Sequence, residues 1–510
     1  MFLLILLGVL GALAYYIHHV YTYWQRQGFP YDTASGFPFG AMESVVKRQK
    51  SFGMAINDVY LNSSKRFLGI YLFFRPAILV RDAELARQIL VQDFSSFHDR
   101  GIYCDEKNDP YSGNLFNLPG ERWRSLRTKL APSFTSGKLK SIFSIVDDVG
   151  NEMMKYLDKT IPEEGEVVME MKEFFSRYAI DIIGSAIFGI EVNSFTNPNN
   201  PLRKTSDQFS KPTFFSVVRG TSAFLFPALQ KLFVRLGLPD PVADFMKDMV
   251  RQTVEYREKN NVHRKDMMQM LIELRNTGKI NLDDDVWKGQ SIAENLKSMS
   301  IDCIAGQAFL FYVAGFDTTA GTAAFTIFEL AKYPEILAKV QKDIKQALDK
   351  HEGKITYESI KDMTYLDLCV KETIRKYPAL PILNRECTID FKVPDSDKVI
   401  KKGTPIVISL FGIHRDPKYF PDPMKYDPER FLEETKNYNP IAYMPFGEGP
   451  RHCIAQRMGT VNVKVALAKV LMSYEIAAAQ EGEIEVDNFA VTIAPKGGAN
   501  IKLRKRKQPL

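Results

Sequence analysis

A cysteine placed just before a predicted helix is the strongest chemical signal in the sequence. Residues 446–455 read FGEGPRHCIA, and an amphipathic stretch follows to about Tyr474. The glycines and the proline predict a tight turn that presents Cys453 near a helix start, where backbone N–H groups and the helix dipole favour a thiolate. Such a thiolate is a suitable ligand for iron. A half-buried free thiol is the ordinary alternative for any single cysteine, but Phe446 and Arg451 at their fixed offsets favour the ligand.

A second motif, AGFDTT at residues 314–319, lies inside a long apolar stretch. Ala314 and Gly315 leave room for a flat ligand against the helix backbone, and the hydroxyl of Thr318 can donate back to the carbonyl of Ala314 and bend the helix. Asp317 and Thr318 are then placed to relay protons in an apolar cavity. The alternative is a structural acid that neighbouring helices satisfy, so this motif is only suggestive by itself.

The third motif is the pair Glu372 and Arg375, which lie on one helix face and can form an ion pair. Arg430, in the segment Pro428–Phe431, would complete a Glu-Arg-Arg cluster. The spacing carries little information alone, because it recurs at Glu84/Arg87, Glu121/Arg124 and Glu448/Arg451.

The fourth motif is Trp123 with Arg127, one helical turn apart. An indole and a guanidinium in this arrangement can hold a carboxylate. Taken alone, the pair more often marks an exposed basic helix with a packed Trp.

The N-terminus predicts a membrane anchor over residues 1–24. As a helix, Phe2 to Tyr23 spans roughly 33 Å, enough to cross a hydrocarbon core of about 30 Å. Its aromatic residues are expected in the headgroup region, and the basic residues that follow place the rest of the chain in the cytosol; the aromatic residues are Tyr15, Tyr16, Tyr21, Tyr23 and Trp24. A cleaved signal ending near Ala12-Leu13-Ala14 is the alternative. A connector rich in Pro and Gly follows over residues 25–40.

Composition excludes several classes of protein. The chain has 510 residues and a net charge of only +6, too small a surplus to indicate nucleic acid binding. Its five cysteines are few and odd in number, which favours a reducing compartment over a disulfide framework. The sequence contains no nucleotide-binding glycine loop, so electrons from a nucleotide must come from another protein.

Hydrophobic periodicity predicts a mainly α fold with small β-sheets, forming one large domain over residues 41–510. The predicted helices cover residues 141–158, 170–188, 241–260, 265–276, 293–333 and 336–350. The predicted strands cover residues 69–74, 77–80, 399–410 with an interruption at 401–403, and 489–503.

The four motifs occur in an order and at separations that resemble the cytochrome P450 monooxygenases. The resemblance covers essentially the whole chain. The stretches Tyr377–Cys387 and Phe446–Arg451 are most similar to insect microsomal members of the xenobiotic-metabolising group.

The resemblance implies a role for each motif. Cys453 would be the axial thiolate ligand of the iron of haem b, while Asp317 and Thr318 would deliver protons during dioxygen activation. Glu372, Arg375 and Arg430 would form a structural cluster beside the haem. The other residues expected to bind the cofactor are Trp123, Arg127, Ala314, Gly315, Arg385, Phe446 and Arg451. One departure is Ala455, where the family usually has Gly.

The implied function is the insertion of one oxygen atom of O2 into a lipophilic substrate, at the endoplasmic reticulum membrane. NADPH-cytochrome P450 reductase would supply electrons, with cytochrome b5 as a further partner. A haem-thiolate isomerase or dehydratase, or a haem-bearing sensor or carrier without turnover, are the alternatives.

The resemblance also places the substrate pocket and the docking surface. The pocket wall would include residues 101–118, 379–383 and 491–493 with Phe309 and Phe311. Five basic residues would dock the reductase: Arg122, Arg124, Lys129, Lys138 and Lys140.

Overall fold

The computed structural model describes residues 1–210, 213–238, 240–264, 266–277, 299–489 and 491–508. Over these residues the chain is mainly helical with small sheets, which confirms the predicted fold class. The helices are α1 (Phe2–Tyr21), α2 (Tyr23–Arg26), α3 (Glu43–Val46), α4 (Phe52–Leu61), α5 (Ala83–Arg87), α6 (Gly120–Leu130), α7 (Ser136–Thr160), α8 (Met171–Ile183), α9 (Pro201–Ser210), α10 (Phe214–Leu225), α11 (Pro227–Arg235), α12 (Pro241–Asn260), α13 (Met267–Thr277), α14 (Ile301–Lys332), α15 (Pro334–Asp349), α16 (Tyr357–Asp362), α17 (Thr364–Lys376), α18 (Leu410–His414) and α19 (Gln456–Ser473).

The strands form small sheets at the edges of the helical body. They are β1 (Phe67–Leu72), β2 (Arg75–Val80), β3 (Val167–Glu170), β4 (Ile382–Glu386), β5 (Phe391–Lys392), β6 (Val399–Ile400), β7 (Pro405–Ser409), β8 (Tyr474–Ala478) and β9 (Asn500–Lys505). One sheet has the order β1-β2-β7-β4, in which β2 and β7 are parallel and the other pairs antiparallel. The others have the orders β3-β9-β8 and β5-β6.

Local signals account well for the helix boundaries. Helix α12 has the predicted bounds: the side chain of Asp240 accepts from the backbone of Ala243, Pro241 takes the first helical position, and Asn261 ends the helix at φ 51°. Helix α8 is shorter than predicted, since a π-helical turn over Gly184–Phe188 follows it.

Helix α14 is the central helix and runs between α8, α12 and α19. It begins at Ile301, where the hydroxyl of Ser300 accepts from the backbone of Cys303. The prediction placed its start at residue 293, and residues 293–298 lie outside the described residues, as does Lys265 at the start of another predicted helix.

The last predicted strand is wrong over most of its length. Of the predicted segment 489–503, only residues 500–503 lie in a strand, β9 (Asn500–Lys505), while Ala490 lies outside the described residues. Gly497 and Gly498 have φ values of 72° and 87°, a backbone turn that a strand does not accommodate.

The N-terminal helix α1 is long and apolar enough to cross a membrane, by length and composition. The prediction that Trp24 lies at the lipid headgroups is wrong. Its side chain is 1% exposed and donates from Nε1 to the carbonyl of Ile70 at 3.0 Å, within the core beside β1. Tyr21 similarly donates to the carbonyl of Phe73 at 2.9 Å. An indole N–H buried in this way needs a protein acceptor, and the end of β1 provides it.

Candidate active site

The loop before α19 forms the predicted tight turn. Gly447 and Gly449 have φ values of 73° and 70°. A Cβ on Gly449 would lie 2.0 Å from the carbonyl oxygen of Leu90, so no larger residue fits. The backbone N–H of Cys453 donates to the carbonyl of Phe446 at 2.9 Å and closes the turn.

The environment of the Cys453 thiol combines exposed surface with burial. The residue has exposed surface, yet burial is the main cause that raises the pKa of its thiol. We infer that the thiol lines a cavity inside the protein, because such a thiol has exposed surface and a buried environment together. The backbone N–H of Ala455 and the charges of Arg127 and Arg100 act in the opposite direction and favour the thiolate.

Ala455 is compatible with the turn because its φ is −100°. This conformation is open to any L-residue, so the departure from Gly introduces no backbone strain.

Four arginines converge near this cavity: Arg100, Arg127, Arg385 and Arg451. Burial lowers the pKa of all four guanidinium groups. Repulsion from neighbouring arginines lowers the pKa of Arg100, Arg385 and Arg451 further. The charge of Cys453 acts in the opposite direction on Arg100, and the charge of Asp99 does so on Arg451. The pKa of Arg451 falls to about 9 and that of Arg100 to about 10. We call these residues the arginine cluster.

Asp99 is the one carboxylate that forms an ion pair with the arginine cluster in the described part of the chain. The Nε atoms of Arg100, Arg385 and Arg451 are buried without a hydrogen-bond partner in the described part of the chain. Arg451 donates to the carbonyl of Leu118 at 2.6 Å, and its carboxylate neighbour Asp99 lies at 3.6 Å. Buried cations of this kind are costly unless an anion pairs with them.

Comparison with known proteins identifies the protein family to which the chain belongs. Residues 42–501 match the cytochrome P450 family. The chain is 53% identical over 512 residues to the probable cytochrome P450 6d4 of Drosophila melanogaster, covering 99% of both chains. It is 53% identical over 516 residues to cytochrome P450 6d3 of Musca domestica, again over 99% of both. The chain belongs to the cytochrome P450 family. This confirms the predicted resemblance and makes the protein a haem-thiolate monooxygenase of the insect type.

The family implies a haem cofactor, and the residues present fit it. A haem is flat and carries two carboxylates, the anions that the unpaired Nε atoms of the arginine cluster require. The guanidinium of Arg451 also lies 4.2 Å from the ring centre of Trp123, which fixes it in a cation–π contact. Arg385 donates to the carbonyl of Asn384 at 2.8 Å.

Arg100 joins the arginine cluster although no motif predicted it. Its guanidinium lies 4.0 Å from the ring centre of Phe116, and its Nη1 is 3.5 Å from Oδ1 of Asn384. The residue belongs to none of the four motifs and stands one position before the segment 101–118 assigned to the pocket wall, so no sequence signal marked it.

Helix α14 brings the AGFDTT motif to the middle of the protein. Thr318 donates from Oγ1 to the carbonyl of Ala314 at 2.7 Å, and Ala314 is exposed although the helix around it is largely buried. The methyl of Ala314 therefore faces open space. Gly315 lies against α8 instead. A Cβ at this position would meet Cδ1 of Ile183 at 2.8 Å, so the absence of a side chain permits α8 to pack closely.

Asp317 is held by two side chains from distant parts of the chain. Its Oδ1 lies 3.0 Å from Nζ of Lys172 on α8, and its Oδ2 accepts from the hydroxyl of Thr492. The carboxylate retains 16% exposure. It is thus fixed in place and still open to solvent or a proton donor.

The structure brings Glu372, Arg375 and Arg430 together in the core. Arg375 binds both carboxylate oxygens of Glu372, at 2.7 and 2.9 Å, and Nε of Arg430 lies 3.1 Å from Oε1. All three side chains are at most 1% exposed. The distances and burial make this a rigid structural unit with no access for a substrate.

His414 connects that unit to the cysteine loop. Its carbonyl accepts from Arg375 at 2.8 Å, and its Nε2 accepts from the backbone N–H of Met444 at 3.2 Å, shortly before Phe446. Burial, and then the charge of Arg375, lower the pKa of His414 to about 3. The imidazole is therefore neutral and able to accept.

Segments predicted to line the substrate pocket meet in space. The backbone N–H of Ile493 donates to the carbonyl of Ala379 at 2.9 Å, and the rings of Tyr111 and Phe309 lie 5.2 Å apart. Phe311 packs against Phe134 at 5.8 Å and is 7% exposed, so it lies within the core.

The predicted docking residues differ in accessibility. Lys129 is 7% exposed, so the prediction that it is an accessible docking charge is wrong. It falls on the buried face of α6 together with Leu126 and Leu130. Arg124 retains 75% of its side-chain exposure and Lys140 retains 64%.

Proposed function

We propose that this chain oxidises lipophilic small molecules, using haem b held by Cys453 and electrons from NADPH-cytochrome P450 reductase. The carrying observation is the arginine cluster with its unpaired buried Nε atoms, close enough to Cys453 to favour the thiolate. A cavity with this thiol at one point and surplus buried positive charge at its edge suits a dianionic haem.

Bound haem b supplies an iron centre at which dioxygen is reduced and split. In this proposal, Cys453 provides the ligand and electron density. Phe446 holds the turn that aims the thiolate, and Ala314 leaves space for the ring. The carboxylates are held by Trp123, Arg127, Arg385, Arg451 and also Arg100. Gly315 would contribute only its backbone beside the ring, because a side chain at this position would meet Ile183.

Asp317 and Thr318 move protons in this scheme. The carboxylate of Asp317 takes up protons from solvent, since it remains partly exposed while Lys172 and Thr492 fix its position. The hydroxyl of Thr318, anchored on the carbonyl of Ala314, orients the proton toward the cavity. An undirected proton supply would release reduced oxygen without product.

The substrate class follows from the apolar walls that meet around residues 379–383 and 491–493. We infer lipophilic substrates: xenobiotics such as plant toxins or insecticides, or endogenous hormones and lipids. The aromatic rings of Tyr111 and Phe309, which were also predicted to line the pocket, support the same class.

The proposed location is the endoplasmic reticulum membrane with the catalytic domain in the cytosol. Residues 1–24 would form the anchor, 25–40 the connector and 41–510 the catalytic domain. Helix α1 supports this arrangement through its length and apolar composition. Basic residues after the helix favour the cytosolic side.

Electrons would arrive at a basic surface below the cysteine loop. A pocket of about 690 Å³ opens between α16, α17, α19 and the loop. Its lining includes the basic residues Lys361, Lys371 and Arg457 and the acidic residues Asp367 and Glu448, while Lys464 is buried. Arg457 contacts Ser136 at 3.1 Å and Lys140 pairs with Glu358, which makes the pocket continuous with the start of α7. An acidic flavin domain of the reductase, with cytochrome b5 as a second donor, suits this surface.

The decisive experiment combines the membrane-bound protein with reductase and NADPH. Product formed together with NADPH and O2 consumption supports the proposal. Conversion of a substrate without O2 consumption would instead identify an isomerase or dehydratase. Tight binding of lipophilic compounds without any turnover would identify a sensor or carrier.

The docking surface has its own test. Reversing Arg124 and Lys140 to Glu should slow reductase-supported turnover at low salt, with a smaller difference at high ionic strength because charges are screened beyond about 8 Å. Turnover driven by peroxide should be unchanged. Equal losses in both assays would reject this surface as the docking site.

A further inference from the structure

Gln307 is a fully buried amide in the apolar helix α14, with 0% exposure. Its Oε1 accepts from the backbone N–H of Leu115 at 2.9 Å, and its Nε2 donates to the carbonyl of Gly113 at 2.8 Å. One side chain thus pairs with the backbone N–H of Leu115 and the backbone carbonyl of Gly113, the two groups that a neighbouring β-strand would otherwise bind. Buried backbone groups that lose such a partner carry a large free-energy cost.

The segment that Gln307 holds rests directly on the helix. A Cβ on Gly306 would lie 2.3 Å from the carbonyl oxygen of Tyr111, so the absence of a side chain there permits the contact. Leu115 and its neighbours are buried, and the helix supplies one wall of that burial. We call residues 111–118 the clamped segment.

The other side of the clamped segment reaches the arginine cluster. The ring of Phe116 lies 4.0 Å from the guanidinium of Arg100, and the carbonyl of Leu118 accepts from Arg451 at 2.6 Å. The clamped segment therefore spans from α14 to the residues proposed to hold the haem carboxylates. Phe116 is half-buried and belongs to the segment predicted to line the substrate pocket.

We propose that Gln307 is a positioning residue that determines substrate specificity. By clamping residues 113 and 115 to α14, it fixes Phe116 at the edge of the cavity and limits the shape of molecule that fits beside the haem. Gln307 contacts no substrate in this scheme. The inference rests on the proposed haem site but adds a residue outside the site motifs.

The test uses Gln307→Met, which keeps the side-chain length and removes both hydrogen bonds to the clamped segment. It also removes the bond from Nε2 to the carbonyl of Cys303 within α14. The matched control is Thr326→Val, since Thr326 is also a buried polar residue of α14 but bonds to Thr373 at 3.0 Å, away from the clamped segment. Binding to the ferric protein is followed by the haem absorption spectrum for two probes, imidazole and 4-phenylimidazole. Both probes coordinate iron in the same way, so only the second reports on the cavity wall.

In Gln307→Met, hydrogen exchange in the clamped segment should rise at least about tenfold, because two buried hydrogen bonds are lost. The affinity for 4-phenylimidazole relative to imidazole should change about fivefold or more, while Thr326→Val leaves the ratio unchanged. In a Phe116→Ala background, Gln307→Met should add little further change to the ratio, because both act through the same ring.

Faster exchange with an unchanged affinity ratio would overturn the proposal, as would an equal change in Thr326→Val. If Gln307→Met does not load haem, Phe116→Ala alone decides: an unchanged ratio rejects the role of that ring. Exchange and binding are measured without reductase or NADPH, so a protein that failed to turn over would refute the proposed function and leave this test intact.

Discussion

Nζ of Lys172 lies 3.0 Å from Oδ1 of Asp317 and joins α8 to the acid in the middle of α14. The pair is partly exposed, at 20% for Lys172 and 16% for Asp317. It keeps the carboxylate from rotating freely, and the hydroxyl of Thr492 holds the other oxygen. An acid proposed to pass protons is thereby placed by residues from two distant segments.

Lys172→Met should therefore lower the share of NADPH electrons that reach product by about two- to fivefold, a fraction of the loss from removing the acid itself. Haem content should not change. The measurement is product formed per NADPH consumed, with Lys155→Met as the control, since Lys155 pairs with Glu152 on the exposed face of α7. Unchanged coupling in Lys172→Met would show that the ion pair serves packing only.

Thr318→Ala should retain haem but direct most electrons to peroxide or water, because the proton supply loses its orienting hydroxyl. Thr322 offers a matched control: its hydroxyl donates to the carbonyl of Thr318 at 2.8 Å, the same bond one turn later. Thr322→Ala removes an equivalent helix contact and should leave coupling intact. If both variants uncouple alike, the effect belongs to the helix and the specific role of Thr318 is rejected.

Glu372→Ala should leave Arg375 and Arg430 buried without their carboxylate, which costs about 3–5 kcal/mol. We expect little haem-loaded protein and a strongly lowered melting temperature. Glu121→Ala is the control. Glu121 also lies three residues before an arginine, Arg124, but this ion pair is exposed and its atoms are 3.9 Å apart. That variant should change stability by at most about 0.5 kcal/mol. Comparable losses in both would contradict the structural role of the cluster.

Local sequence signals could predict the elements whose stability is decided nearby. The cap at Asp240 and the proline after it determine where α12 begins, and both are legible in the sequence. The bond from Thr318 to Ala314 is likewise a contact within one helical turn. The cysteine turn follows from its glycines, whose positive φ values few other residues adopt.

Contacts between distant segments could not be predicted in the same way. Lys172 gives no local sign that it meets Asp317, and Arg100 belongs to no motif although its charge acts on Cys453. Trp24 seemed a membrane-interface residue because its burial depends on β1, a strand that lies more than forty residues later. Lys129 was assigned to the surface from its charge, whereas the face of α6 on which it lies is set by tertiary packing.

The neutral imidazole of His414 predicts a loss of stability in acid. Its pKa falls from 6.5 to about 3 in the folded protein. Between these values the unfolded chain binds a proton that the folded chain does not, so the free energy of unfolding decreases as pH falls, by up to about 1.4 kcal/mol per pH unit. His414→Gln keeps an acceptor for the Met444 N–H but binds no proton in the unfolded chain. Its melting temperature should therefore fall less than that of the wild type between pH 7 and pH 5, and the difference should correspond to the uptake of about one proton.

The control for this prediction is Thr322→Ala, which removes a hydroxyl that donates to the carbonyl of Thr318 and no titratable group. This variant should follow the wild-type pH dependence. If His414→Gln also follows the wild type, the buried imidazole makes no contribution to the acid sensitivity.

The central claim is that Cys453 provides the thiolate ligand of a haem, and the spectrum of the reduced protein with carbon monoxide tests it most directly. The wild type should show the strongly red-shifted Soret band of a thiolate-bound haem. Cys453→Ala should lack this band, while Cys369→Ala, which removes a buried thiol that lies in the core cluster, should retain it whenever the protein folds. A red-shifted band that persists in Cys453→Ala would contradict the assignment of the ligand.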